Sequence, residues 1–363
     1  MGVNMRKNNN CRWLFTFCIF ILAFIGLYVM ISYIMRPVNM YRNTIQGLYS
    51  ERDNSLDVVC IGGSSTSTFW EPYEAWGKWG MTSYDLSTDS MTPALIKYLM
   101  AETLKTQTPK VFVVDLRAID VREEDKSYYT EASIRVVTDS MRYSMNRNSA
   151  IRYAMSIEEP EKVNDISLYA DLIKYHSNWQ TLTRDNFVYA FSKVRSYYKG
   201  FNIYKKEYHM PLEKKDYSQV ERREPLSDET EQILIDILKY CRDNKLSVLF
   251  VVNPFWQKSD ITKARYNYVS DLITQYGYTF LNTNDYYKEM DIDFSHDFYN
   301  HDHVNIYGAD KYTLFLGEYI MNNYDISDKR DDKMYSYWNE EYVEWKKAAV
   351  LQKSEIDLAI SKE

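Results

Sequence analysis

The sequence predicts an α/β fold in which a parallel five-stranded sheet is flanked by helices and carried on one N-terminal membrane helix. Three observations predict it. Five short apolar runs read as strands, helical patterns alternate with them, and an uncharged apolar run of bilayer length lies near the N-terminus. The 363 residues, 45% hydrophobic and 26% charged, suffice for a large core.

Taken in order, residues 1–12 form a short basic N-terminus. The run Trp13–Met35, WLFTFCIFILAFIGLYVMISYIM, is long enough to cross a bilayer as one helix. Arg6, Lys7 and Arg12 precede it, whereas Arg36 and Arg42 follow, a small bias that places the N-terminus in the cytoplasm and the globular part outside. A cleaved signal peptide is the competing reading, but the run exceeds a signal core and no small-x-small site follows. Residues 36–56 read as a juxtamembrane linker. The candidate strands are 57–62 (DVVCIG), 82–87 (TSYDLS), 110–116 (KVFVVDL), 246–252 (LSVLFVV) and 278–282 (YTFLN).

Between the second and third strands, Leu95, Tyr98, Leu99 and Leu104 share a helical face, with Pro93 in the first turn. Between the fourth and fifth, ITKARYNYVSDLITQYG reads as a helix ended by Gly277. The sheet domain therefore spans residues 57–325. A polar, tyrosine-rich, mostly helical insertion occupies 120–223, bordering the site, and residues 326–363 form a C-terminal amphipathic helix outside the sheet domain.

A net charge of -7 and the lack of basic runs argue against nucleic acid as a partner. Cys11 and Cys18 belong to the anchor region, and Cys60 and Cys241 fall in apolar patterns, so they read as small buried residues rather than disulfide halves. With no metal-type cysteine spacing and no nucleotide site, the sequence predicts neither metal nor cofactor. The 34 Tyr either line a sugar groove or pack half-buried. An exported chain without evident disulfides and rich in Asn, Lys and Tyr fits a Gram-positive bacterial surface.

Ligands gather at the carboxyl ends of parallel strands. There, IGGSSTSTFWEP places two glycines and then five consecutive hydroxyl side chains at the end of the first strand. Ser64 is a candidate nucleophile, with backbone amides at the start of the next helix to hold an oxyanion. The alternative is that the hydroxyls merely cap that helix. A serine of normal pKa needs a base. Three of the five His lie in DFSHDFYNHDHVNIYGADKYT, and His303, just before a helix, is the best placed. The competing reading, three histidines on a metal, has an unusual ligand spacing.

These two blocks together resemble the SGNH/GDSL hydrolase superfamily, especially its membrane-anchored, surface-facing branch, which includes the protein assisting D-alanylation of teichoic acids and relatives that O-acetylate exopolysaccharides. The resemblance covers about residues 57–324. It implies a flavodoxin-like three-layer sandwich, with Ser64 as nucleophile, His303 as base, and Asn305 and Gly308 following. The family's acid position holds Asn300, which leaves Asn300, the adjacent Asp302 or Asp297 to support the histidine. Its oxyanion glycine falls near Ser87. Its Gly-x-Asn block has no match in VVDLRAID, where Asp115 or Arg117 borders the site, Asp115 reading as a structural ion pair. In the insertion, Arg135 and Asp139 form either a site pair or a surface i,i+4 pair. His176, Trp179, Tyr198, Lys199 and Gly200 look like pieces of the branch's insertion, contacting a polymer or acyl donor, or simply packing.

The resemblance thus implies a serine acyltransferase (acetyl or D-alanyl) or esterase acting on a cell-surface glycan or teichoic acid. A membrane-bound O-acyltransferase is the implied partner. The rival is a non-catalytic module of the same fold that binds a surface polymer or docks such an enzyme.

Overall fold

Each of the five apolar runs becomes a strand: β1 Val58–Gly62, β2 Ser83–Ser87, β3 Val111–Asp115, β4 Val248–Val252 and β5 Thr279–Asn282. All neighbours pair in parallel, in the order β2-β1-β3-β4-β5. Every residue of β1, β2, β3 and β4 is buried, which is why β1, β3 and β4 read as continuous apolar runs rather than alternating ones, whereas β2 (SYDLS) buries Ser83, Asp85 and Ser87 with its apolar residues. Gly62 pairs with Ser87, so the ends of β1 and β2 stand side by side. The edge of β2 is closed by backbone: Asp85 N donates to Lys199 O at 2.8 Å.

This computed structural model describes residues 3–203, 216–256 and 259–362. The helices are α1 Val3–Met35, α2 Met40–Leu48, α3 Thr66–Phe69, α4 Pro72–Trp79, α5 Ile96–Thr103, α6 Arg117–Glu124, α7 Glu131–Thr138, α8 Met145–Glu158, α9 Asp171–Tyr175, α10 Arg184–Phe191, α11 Asp228–Asp243, α12 Asp260–Gln275, α13 Ile306–Asn323 and α14 Ser336–Ile360. Two compact units result: residues 1–39 with 164–194, and residues 40–163 with 195–363.

In the first unit, α1 contains an apolar stretch, Arg12–Met35, long enough to cross a membrane. Its last carbonyls have no partners within the helix and are met by side chains. Asn178 Nδ2 donates to Met35 O at 2.9 Å, and Asn186 Nδ2 donates to Ile34 O at 3.0 Å and Arg36 O at 3.2 Å. Arg36 and Asp171, both buried, form an ion pair of 2.6 Å.

The second unit holds the sheet, and its extent corrects three expected boundaries. The segment 36–56 is not a linker throughout: α2 buries Ile45 and Leu48, and Tyr84 OH of β2 donates to Thr44 O at 2.6 Å. The insertion 120–223 is divided. Residues 120–163 stay with the sheet, 164–194 join the anchor unit, and 204–215 lie outside the described residues, as do residues 1 and 2 of the N-terminus. The C-terminal helix α14 belongs to the sheet unit, burying Trp338 against Trp76 and Tyr73 with ring centroids 5.3 and 5.4 Å apart. Cys60 and Cys241 are both buried.

Candidate active site

The turn after β1 answers why so many hydroxyls stand there. A Cβ on Gly62 would lie 2.0 Å from Thr66 Oγ1 and 2.8 Å from Asp115 Cβ, so only glycine permits this approach. Gly63 has open space around it, and neither glycine has positive φ. The next hydroxyls tie the turn down. Ser65 Oγ donates to Asp115 Oδ2 at 2.5 Å and Thr66 Oγ1 to the same oxygen at 3.2 Å, while Ser67 Oγ and Thr68 Oγ1 donate to Ser64 O at 2.9 Å and Ser65 O at 3.0 Å. The helix that follows, α3, is a single turn, so its dipole adds little.

Ser64, by contrast, faces the histidine loop. That loop is closed by backbone bonds from Tyr299 N to His303 O at 2.8 Å and from Asn305 N to Asp297 O at 2.8 Å, with Asn305 capping α13 through Tyr307 N. His303 Nε2 lies 2.7 Å from Ser64 Oγ. On the other side of the ring, Nδ1 lies 2.8 Å from Asn300 Oδ1. The same Oδ1 accepts from the backbone amides of Asp302 at 2.9 Å and His303 at 3.0 Å. Two amide donors require an oxygen at that position, which fixes the Asn300 side chain and puts the imidazole proton on Nδ1. Nε2 then carries the lone pair and accepts the Ser64 hydroxyl. The arrangement is a hydroxyl, a neutral base and an orienting amide.

Asp302 does not reach the imidazole as its partner. It forms an ion pair with Arg117, whose Nη1 also donates to Asp302 O at 3.1 Å and whose guanidinium stacks 4.4 Å from the Phe255 ring centroid. Burial raises the Asp302 carboxyl, but Arg117 more than offsets it and holds the group below the usual carboxylate range. Burial, then the Arg117 charge, lowers the His303 pKa below its ordinary value, against the opposing pull of Asp302 and Asp89. His303 is therefore neutral near pH 7, as a base must be.

A pocket of about 100 Å³ opens on this group. Ser64, Arg117, Asp302 and His303 line it together with Ser90, Met91, Tyr128 and Tyr129. Tyr128 OH lies 3.2 Å from Ser90 Oγ, and Tyr129 is buried beneath. Sequence reasoning did not single out this aromatic wall, because the paired tyrosines lie in the insertion without a motif around them.

Other expected site residues lie elsewhere. Ser87 is buried and does not line the pocket; Ser90 and Met91, just beyond it, do. Asp297 is held by Lys311 Nζ at 2.8 Å and by His296 Nδ1 at 2.8 Å rather than by His303. With His301 against the Trp256 ring instead, the three histidines go separate ways. Asp115 is a buried anchor: besides the two hydroxyls it accepts from Asn253 Nδ2 at 3.1 Å and Arg117 N at 3.0 Å, and burial raises its pKa against those bonds.

Lys199 does not line the pocket. It is buried, in ion pairs of 2.8 Å with Glu51 and 2.9 Å with Glu341. Beside it, Gly200 has φ +92, and its missing Cβ makes room for Asp85 O. Tyr198 packs on Trp345 of α14 at 5.2 Å. Arg135 and Asp139 form a buried pair with Arg147, not a surface one. His176 and Trp179, both exposed, belong to the anchor unit, whereas the pocket is built from the sheet unit alone.

No protein-family model matches this chain, and a comparison with curated proteins gives no match.

Proposed function

We propose that this protein is a serine-dependent acyltransferase or esterase of SGNH/GDSL type acting on a cell-surface glycan. The observation that carries the reading is the chain of contacts from Ser64 Oγ to His303 Nε2 at 2.7 Å and from Nδ1 to Asn300 Oδ1 at 2.8 Å. In the proposed reaction Ser64 Oγ attacks the acyl carbonyl as Nε2 takes its proton. The imidazolium then returns that proton to the leaving group. In the second half His303 deprotonates the acceptor, a sugar hydroxyl or water, which attacks the acyl carbonyl, and the imidazolium returns that proton to Ser64 Oγ as the ester bond to it breaks.

The pocket lies where β1, β2 and β3 end, the expected place for a ligand on a parallel sheet, and the strand order 2-1-3-4-5 is that of flavodoxin-like folds. Ser90 and Met91 replace Ser87 as the β2-side wall from which a backbone amide would assist Ser64 in holding the oxyanion. Tyr128, exposed on the pocket wall, would stack on a sugar ring.

The α1 span supports a single-pass membrane protein, and the charge bias around it, Arg6, Lys7 and Arg12 before against Arg36 and Arg42 after, would put the catalytic unit on the extracellular side. Trp179, Phe187 and Phe191, all exposed in the unit containing α1, suit the headgroup region. In this setting a membrane-bound O-acyltransferase is the natural acyl source.

The test is acyl-enzyme trapping. The full-length protein in detergent is mixed with p-nitrophenyl acetate, acid-quenched and mapped by peptide mass. Acetyl on the Ser64 peptide, absent from the Ser64→Ala protein, is the expected result. Acetylation confined to lysines with no ester at Ser64 would sink the reading and favour a polymer-binding or docking module.

A further inference from the structure

Away from the pocket, Glu71 and Glu74 at the start of α4 and Asp310 near the start of α13 each bring a carboxylate oxygen to within 4.8 Å of the others. Glu71 is 1% exposed, no donor reaches either of its oxygens, and its carboxyl meets that of Asp310 instead. A buried carboxylate left this way is strongly unfavourable, and such groups in folded proteins are paired, protonated or bound to a metal. Lys353 of α14 binds Asp310, and Lys346 and Lys78 act on Glu74 only through their field. Among the described residues, three acids thus converge on one direct cation. Burial, then the Asp310 charge, pushes both glutamate carboxyls up, as expected where negative charge is not fully balanced.

We propose that Glu71, Glu74 and Asp310 form a calcium site. The donors are hard oxygens without histidine or cysteine, the set that suits calcium or magnesium rather than a transition metal. Magnesium demands an octahedron, keeps several of its waters and is held by one or two carboxylates, whereas calcium takes a fuller and more flexible set of carboxylate oxygens, so three converging acids suit calcium. Glu71 closes the buried side, while the half-buried Glu74 and Asp310 leave an open side for water ligands. A bound ion would clamp the segment following the Ser64 turn to the helix following the His303 loop, reinforcing the bond from Glu71 N to Thr313 Oγ1 at 2.9 Å. Lys353 is then an internal competitor for Asp310. The site stands whether or not Ser64 is a nucleophile.

Isothermal titration of chelator-stripped full-length protein in detergent, followed by thermal unfolding, tests it. Wild type should bind one calcium in the Kd range of about 10⁻⁴–10⁻³ M. Its Tm should rise by about 2–5 °C at about 5 mM calcium. Glu74→Gln and Asp310→Asn, at half-buried positions, should remain folded and lose both effects, and Lys353→Met should tighten calcium several-fold. Absence of binding by wild type, unchanged binding by the folded Glu74→Gln protein, or an equal Tm shift with magnesium would each overturn the assignment. Labelling at Ser64 is read separately, so failure here does not touch the acyltransferase proposal, nor the reverse.

Discussion

Replacing the orienting amide by a carboxylate, Asn300→Asp, probes the site most informatively. In a serine–histidine pair an amide at the acid position is ordinarily damaging because it allows the wrong imidazole tautomer. Here two backbone amides fix Oδ1 toward Nδ1, so the tautomer is already correct. What Asn300 lacks is charge to stabilise the imidazolium. A hydrogen bond to a neutral acceptor contributes about 1 kcal/mol and one to a charged acceptor about 1.5–3 kcal/mol, a difference of about 1.4 kcal/mol, or roughly tenfold in rate. Asn300→Asp should therefore accelerate fluorophosphonate labelling of Ser64 about tenfold at pH 7. Asn300→Ala loses both orientation and tautomer control and should slow labelling about 10²–10⁴-fold. Stopped-time labelling with in-gel fluorescence reads both rates. If Asn300→Asp is slower than wild type while Asn300→Ala matches it, the Asn300–His303 contact has no part in activating Ser64.

The charges around His303 set a pH dependence. With its pKa depressed, the base stays neutral through pH 7, and labelling falls only as pH drops below the ordinary histidine value near about 6.5. Arg117→Gln removes a depressing charge and should move the acid limb up, whereas Asp302→Asn removes a raising charge and should move it down; equal limbs in both proteins would refute this electrostatic assignment. Gly62→Ala should destabilise by about 2 kcal/mol or more and Gly63→Ala by less than about 0.5 kcal/mol, read from urea midpoints; equal effects would contradict the close approach at Gly62 alone. Lys199→Met leaves Glu51 buried without its cation and should lower stability by about 3–5 kcal/mol while Ser64 labelling of the folded fraction is unchanged. Selective loss of labelling with normal stability would instead return Lys199 to a substrate role.

Strands β1, β3 and β4 were legible because a fully buried parallel strand is a short apolar run, while β2 (SYDLS) and the partly exposed β5 were legible from their place in the β-α alternation. The Ser64–His303 pair was legible for a related reason: each residue sits in a compact local block, and strand topology brings the two loop ends together. What escaped depends on contacts distant in sequence. The α2 segment looked like a linker because its buried set includes Arg42 and Thr44, although Ile45, Leu48 and Tyr49 already lie at helical spacing. The insertion seemed one body, but its second part carries Asp171, Asn178 and Asn186, whose partners at the end of α1 lie more than a hundred residues earlier. Lys199 with Gly200 invited a ligand reading because they look like a piece of the insertion in the family branch that the chain resembles. The glycine instead serves a close backbone approach to β2, and the lysine balances two buried glutamates. Among the acids, Asp302 was compromised as a partner by Arg117, a pairing no local pattern announces.

The central claim is that His303 activates Ser64, and the most direct measurement is fluorophosphonate labelling of the full-length protein in detergent with peptide mapping, beside folded Ser64→Ala and His303→Ala proteins. The prediction is a single adduct on Ser64, lost in both variants. Folded wild type that stays unlabelled, or a His303→Ala protein labelled at the wild-type rate, would contradict it.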